Sequence, residues 1–406
     1  MITDSLWLDE ATTALVSQMS LKDIFVKFLP NDFHPPLYYL IMKGWVSMFG
    51  ASEISLRAPS VIFALLTIYL VYKMSGKVAG LLLATSPLFF YYAQEARMYM
   101  MTTFLVSLLV YLFKHKNWVW FSVFLAVLGL TDYIALFIVP VFLILNYKKL
   151  KSFILYLLPL CLAYLWWGSY FLTQLKGGLA IVNSNWGQLL GIVSFKNFAL
   201  IPVKFMIGRI SFDDKYLYAA IVVILGLIFG YLLFKARKSE TIYWLWLVLP
   251  LLIGFLVSFK VPTLTYFRFL FCLPAFYILI SEGIKNSRKF NKLLLALILC
   301  VNVIFSMFYI LNSKFHKEDW RGIAVAIEND QIVTPTVGQR EALIYYGKKD
   351  QIVDQPTQKV VWLSRYVWEI FDPTDSARLK IEKMGYNKIS EHNFNGVLFF
   401  KYENRN

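Results

Sequence analysis

Long apolar runs broken by short basic clusters set the pattern of this chain. Runs of near-spanning length fall near 54–73, 78–92, 97–113, 118–131, 133–147, 153–172, 216–234, 243–259, 266–281 and 293–311. About ten such runs predict membrane helices, although several fall short of the ~20 residues that a straight crossing needs. The basic residues between them lie on alternate connections: Lys73 and Lys77; Lys114 and Lys116; Lys148, Lys149 and Lys151; Lys235, Arg237 and Lys238; and Lys285, Arg288, Lys289 and Lys292. Basic links mark the cytoplasmic side, so the remaining connections face outward: 94–97, Asp132, a long loop over 173–215, and 260–265. The segment 195–210 is apolar enough to suggest a further span, but a crossing there would invert every later link. Lys196, Pro202, Lys204 and Arg209 also interrupt it. It is read as a helix in the outer interface, its basic side chains snorkelling to water.

Beyond residue 311 the pattern becomes mixed. Short strand-like runs at 359–363 and 397–402, and a helix-like stretch over 375–384 that stops at Gly385, predict a small α/β domain. The expected organisation is all-α and polytopic. Residues 1–53 form an external loop with interfacial helices, 54–311 the transmembrane domain, and 312–406 an external soluble α/β domain. By this parity both ends lie outside, which leaves a first membrane helix apparently missing before Met1. Residues 1–10 are short and acidic and do not read as a cleavable signal peptide.

Composition agrees with the pattern. The chain has 406 residues, 58% hydrophobic and only 16% charged, with mean hydropathy +0.58; a soluble domain carries about a quarter charged residues. The net charge of +15 does not point to nucleic acid, because the basic residues cluster at the ends of apolar runs and no basic stripe or nucleic-acid motif accompanies them. Cys161, Cys272 and Cys300 lie within apolar runs without disulfide or metal spacing, and are read as packing residues.

The polar residues that could carry chemistry collect on the predicted outer side. Asp9 and Glu10 are adjacent; on a helix they point about 100° apart, so one can enter a cavity while the other holds a neighbour or a metal. Their simplest alternative role is to favour a helix N-terminus. His34 precedes Pro35-Pro36-Leu37-Tyr38-Tyr39 and serves equally as a cap or as a substrate contact. Glu95 and Arg97, within Gln94-Glu95-Ala96-Arg97-Met98-Tyr99, are charges wedged between two apolar runs, which is costly away from an aqueous rim. Arg268, in Thr265-Tyr266-Phe267-Arg268-Phe269, suits either an anionic lipid headgroup or an interfacial anchor. Asp132 stands on a tight outer turn.

The order of Trp7-Leu8-Asp9-Glu10, His34-Pro35-Pro36-Leu37-Tyr38-Tyr39, Ser52-Glu53 with Arg57-Ala58-Pro59-Ser60, and Gln94-Glu95-Ala96-Arg97 resembles the dolichyl-phosphate-mannose protein mannosyltransferases. It is equally similar to their bacterial relatives, including the aminoarabinose transferases. The motifs cover the first ~150 residues, and Lys317-Glu318-Asp319-Trp320-Arg321-Gly322 resembles the opening of the external domain in prokaryotic members. The chain departs from the family where Asp132-Tyr133 replaces a His-Tyr. The resemblance implies a GT-C fold and a polyprenyl-phosphate-linked sugar as donor, with a mannose-like hexose passing, with inversion, to a protein, lipid or glycan acceptor. Asp9 would act as general base with Glu10 beside it; His34, Glu95, Arg97, Asp132 and Arg268 would bind substrate. No cofactor is specified, and a divalent metal is left open by the acidic pair. Membrane lipid is an implied partner, nucleic acid is not, and the implied location is the plasma membrane with an extracytoplasmic site. The reading from a different class is a transporter or flippase of lipid-linked sugar.

Overall fold

The apolar runs fold as helices in the computed structural model, which describes residues 2–181 and 193–404. Four helices are long and apolar enough to cross a membrane: Glu53–Ser75, Tyr147–Ala180, Lys215–Lys235 and Arg288–Leu311. Less than half of each apolar window is buried, from 44% in the first to 11% in the second. Side chains such as Leu65, Leu165 and Leu227 stand exposed on these helices, a surface that suits hydrocarbon and not water. Shorter apolar helices span Tyr99–Lys114, Trp118–Gly129, Ile134–Leu145 and Thr241–Val257.

Local chemistry explains where helices depart from the expected runs. The run at 78–92 is two helices, Lys77–Thr85 and Pro87–Tyr92. Between them the Ser86 hydroxyl accepts from Phe89 N, and Pro87 fills the first turn, where its missing N–H costs nothing. The run at 133–147 begins as a 3-10 turn over Ile134–Ile138. The outward loop expected from 173 is helical at its start, because Leu158–Ile181 continues through it. Gln174 is turned inward there, donating to Leu29 O at 2.6 Å and accepting from the Tyr133 hydroxyl at 2.6 Å. The middle of that expected loop, 182–192, lies outside the described residues.

The segment expected to lie in the interface is helical over Phe195–Ile207, but Lys204 does not snorkel. It is buried and donates to Ile210 O at 2.8 Å. Of the cysteines only Cys272 packs inside; Cys161 and Cys300 are exposed on apolar helices, so the packing reading fails for those two.

The chain divides into two compact units, one comprising Met1–Met19, Met42–Leu56 and Asn312–Asn406, the other Ser20–Ile41 and Arg57–Leu311. In the first unit, four strands, β1 (Gln331–Val333), β2 (Val360–Ser364), β3 (Tyr386–Phe394) and β4 (Val397–Asn404), form a sheet of order β1-β2-β4-β3. β1 and β2 are parallel; β4 is antiparallel to both its neighbours, with Val361 opposite Tyr402 and Leu363 opposite Phe400. The hairpin between β3 and β4 turns on Asn395 and Gly396, both at positive φ (49° and 94°), the backbone that an Asn-Gly two-residue turn supplies. Val333, Val361, Leu363, Ile381, Tyr386 and Tyr402 make its core.

Candidate functional site

The two adjacent acids lie in the first turn of the Leu8–Gln18 helix, in the first unit, and the fold treats them differently. Glu10 is fully buried, its Oε1 2.8 Å from Nζ of Lys317, whose side chain is 2% exposed. Asp9 is only half-buried. Its charge acts on Glu341 and Tyr366. Burial pushes the Glu341 carboxyl up and Asp9 adds to that; burial also raises the Tyr366 phenol, with Glu318 and Asp9 contributing.

The segment 317–322 builds the frame around these acids. Lys317 pairs with Glu10. Glu318 accepts from Trp320 Nε1 at 2.7 Å and from the Tyr366 hydroxyl at 2.8 Å. Asp319 caps the Trp320–Ile327 helix by accepting from Gly322 N at 2.9 Å. A Cβ on Gly322 would stand 2.2 Å from the other oxygen of that carboxylate, so only glycine leaves the cap undisturbed. Arg321 reaches Glu53 at 2.6 Å and Thr3 O at 3.0 Å. Glu53 also accepts from the Tyr346 hydroxyl at 3.0 Å, while that hydroxyl accepts from Leu6 N at 2.8 Å. The stretch leading into Asp9 is thereby tied at both ends.

The other candidates belong to the second unit. His34 Nδ1 lies 3.3 Å from Oδ1 of Asp32. The helix that follows starts with Leu37 N donating to Leu130 O at 3.0 Å, and His34 is not drawn on for capping. Asp132 is 6% exposed, and its Oδ1 accepts from Ile134 N at 2.9 Å, which shapes the 3-10 turn after it. Burial pushes its carboxyl up, against the charges of His34 and Arg268. Burial also works on Asp32, yet His34 and Arg97 hold that carboxyl below its ordinary value. His34, Arg97, Asp132 and Arg268 are thus one electrostatic group, and Asp32 joins it. Arg97 and Glu95 are buried, with Arg97 N donating to Glu95 O at 2.8 Å. Arg268 is half-buried on the turn before its helix, one arm donating to Pro262 O at 2.5 Å.

Sequence reasoning passed over two residues here. Asp32 was given no role; its spacing of two from His34 is the only signal that could have found it. Arg209 was read as an interfacial anchor. It is solvent-accessible yet crowded by tyrosines: its guanidinium donates to the Tyr91 hydroxyl, lies 4.5 Å from the centre of that ring, and feels the charge of Glu95. A cation that is both held and accessible can meet an anion. Among the described residues no three His, Cys, Asp or Glu side chains form a metal-holding group, so no ligand set is assigned to a divalent metal.

Residues 33–168 match the family model described as dolichyl-phosphate-mannose-protein mannosyltransferase. The segment contains His34, Glu95, Arg97 and Asp132 but not Asp9, Glu10 or Arg268. Two solved structures align over 98% of this chain and 94% of theirs, each 11% identical in sequence. They are ArnT from Cupriavidus metallidurans in the apo state, with a TM-score of 0.55, and ArnT bound to undecaprenyl phosphate, with a TM-score of 0.50. The chain has an ArnT-like GT-C fold. No curated protein sequence matches it. The GT-C fold and the apolar helices make it an integral membrane protein. Within this fold the candidates separate by environment: a half-buried acid beside a fully buried one in the first unit, and three arginines and a histidine around buried carboxylates in the second.

Proposed function

We propose that the chain is a membrane glycosyltransferase that moves a mannose-like hexose from a polyprenyl-phosphate carrier to an acceptor hydroxyl, with inversion at the sugar carbon. The name of the matching family and the undecaprenyl phosphate bound to ArnT support the donor class. About ten spans, an extracytoplasmic site and location in the plasma membrane complete the reading, supported by the alternation of basic links. So does an arrangement in which 1–53 carries the acidic pair, 54–311 the membrane domain and 312–406 an external domain.

In this reading Asp9 takes the proton of the acceptor hydroxyl. The acceptor oxygen attacks the anomeric carbon, and the bond from that carbon to the phosphate oxygen breaks, its electron pair leaving with the polyprenyl phosphate. Arg97, Arg209 and Arg268 offer positive charge to the phosphate as it gains charge, and His34 offers a hydrogen bond. Glu95 and Asp132 position these groups. Glu10 acts through Lys317 as a positioning residue.

The different fate of the two adjacent acids carries the assignment. A carboxylate shut away from solvent is a poor base, whereas the half-buried Asp9 can reach both a hydroxyl and water. The test is Asp9→Asn, assayed with a panel of radiolabelled polyprenyl-phosphate sugars. Transfer should fall about 10²–10⁴-fold while donor binding and expression stay near those of the parent. Turnover within a few-fold of the parent, in protein that binds donor normally, would remove Asp9 from the role. Movement of donor across the membrane without transfer to any acceptor would favour a flippase instead.

A further inference from the structure

The side of the protein that the basic links assign to the cytoplasm carries a cavity that glycosyl transfer does not use. The helices Lys215–Lys235 and Leu273–Asn286 touch through their backbones at Gly283, where a Cβ would stand 2.1 Å from Leu232 O. Their C-terminal ends therefore stand side by side, and Asn286 Nδ2 donates to Lys235 O at 3.1 Å. Between these ends lies a cavity of about 580 Å³ lined by Lys235, Arg237, Lys238, Lys285 and Arg288, with Glu282 its one carboxylate. We propose that this cavity holds the phosphate headgroup of an anionic membrane phospholipid.

Three observations carry the proposal. Five cations face one acid, and that acid is already engaged: Glu282 Oε1 lies 2.7 Å from Lys285 Nζ and accepts from the Ser75 hydroxyl at 3.2 Å. A positive-inside bias asks only that basic residues lie on these links; it does not ask that two separate links share one hollow. The charges repel one another unless an anion joins them, and helix C-termini alone supply only partial negative charge. Second, the cavity wall includes Ser239, whose hydroxyl oxygen is buried and makes no hydrogen bond within the described residues; a headgroup oxygen would give it a partner. Third, the surroundings are greasy. Phe234 is 61% exposed, Phe290 53% and Leu293 66%, and Arg237 packs 4.3 Å from the centre of the Phe234 ring. Exposed apolar side chains beside a basic hollow suit acyl chains attached to the phosphate, and basic pockets between membrane helices on the cytoplasmic side are a recurrent headgroup site.

The test uses the full-length chain, purified and delipidated, with lipid retention read by native mass spectrometry. Phosphatidylglycerol, phosphatidylcholine and inorganic phosphate are the probes. Phosphatidylglycerol should be retained at least about tenfold more tightly than phosphatidylcholine, and each neutralised cation should weaken it about fivefold. The triple variant Arg237→Gln/Lys238→Gln/Arg288→Asn should thus lose about a hundredfold. Asparagine is chosen at 288 because that residue has a left-handed backbone, φ 43°. If the triple variant fails to fold, Lys238→Gln alone should lose about fivefold and Lys238→Arg should retain binding. Lys148→Gln/Lys149→Gln/Lys151→Gln, on another basic link, should leave the preference unchanged. An equal loss in that control would reduce the effect to general surface attraction and overturn the proposal. So would the absence of any phosphatidylglycerol preference. Displacement of the lipid by inorganic phosphate at low millimolar concentration would assign the cavity to a soluble anion instead.

Discussion

Neutralising one member of the Glu10–Lys317 pair tests whether Glu10 serves the fold or the chemistry. Both side chains are essentially excluded from solvent, 0% and 2% exposed, and their charged atoms are 2.8 Å apart. Glu10→Gln leaves an ammonium buried without its carboxylate, and Lys317→Met leaves the converse. Breaking a buried pair in this way costs about 3–5 kcal/mol, because the charge left behind has lost its close counter-ion and is shut away from water. For a unit of this size that lowers the melting temperature on the order of 10 °C. The double variant Glu10→Gln/Lys317→Met removes both charges and should recover at least about half of the loss, since a neutral replacement of similar volume can be close to neutral in stability. Thermal unfolding followed by fluorescence-detected size exclusion gives the four corners of the cycle. A temperature well below the lowest midpoint then allows transfer to be compared at equal folding. There Glu10→Gln should retain transfer within about tenfold, unlike Asp9→Asn. Single variants that each melt within a degree or two of the parent would refute the buried-pair argument. So would a double variant whose loss is the sum of the two.

Arg97→Ala and Arg268→Ala should each weaken binding of polyprenyl phosphate about ten- to a hundredfold, the worth of one or two hydrogen bonds to a charged group. The lysine variants should restore it only in part, because the bidentate fork is lost; unchanged donor affinity in both alanine variants would make these arginines anchors. Lys204 is held down to about 8, first by burial and then by repulsion from Arg209. Its charge is therefore present below that pH and lost as pH rises through it, while a sugar phosphodiester does not titrate there. Through its repulsion of Arg209, the Lys204 ammonium adds to the positive field proposed for the phosphate, so donor binding should weaken as pH rises past about 8 and Lys204→Met should flatten the profile; an unchanged profile in the variant would show that Lys204 does not act on the donor. Cysteine-accessibility labelling should place Asp9, Gln94 and the 312–406 segment on one side and Lys149 and the 235–238 cluster on the other, and labelling of 312–406 from the cytoplasm would overturn the parity.

Most of the helical pattern was legible because long apolar runs have few competing readings. The run at 216–234 is the helix Lys215–Lys235, and the run at 293–311 is Asn291–Leu311. The misses occurred where polar residues are absorbed by neighbours. Gln174 looks like loop chemistry in sequence, yet it is buried and bonded to Leu29 and Tyr133, so the helix runs on to Ile181. Ser86 breaks a run that hydropathy alone reads as continuous, because a serine followed by proline can cap a new helix without leaving the apolar layer. In the C-terminal sheet, β2 and β4 carry apolar residues and were visible. β3 is largely polar on both faces, and it belongs to the sheet because Asn395-Gly396 folds it back onto β4. That dipeptide was the available signal, and it lies in the turn instead of the strand.

The candidate residues show a sharper limit. Sequence spacing separates Asp9 from Glu10 by about 100° and so requires that they differ, but it does not say which one is turned inward. That depends on Lys317, more than three hundred positions away, whose ammonium can be buried only where a carboxylate already stands. Lys317 was legible as part of a family-like motif but not as the partner of Glu10, since nothing in a run of Lys-Glu-Asp-Trp-Arg-Gly specifies where each side chain goes. Arg209 shows the same limit from the opposite side. An arginine near the end of an interfacial helix reads as a snorkelling anchor, and only the arrival of Tyr91 from elsewhere in the chain turns it into a held, accessible cation. The types of residue a phosphate-handling site needs can therefore be found along the chain. Which of them are spent on the fold, and which stay available for chemistry, is decided by long-range ion pairs and aromatic contacts that leave no periodic trace.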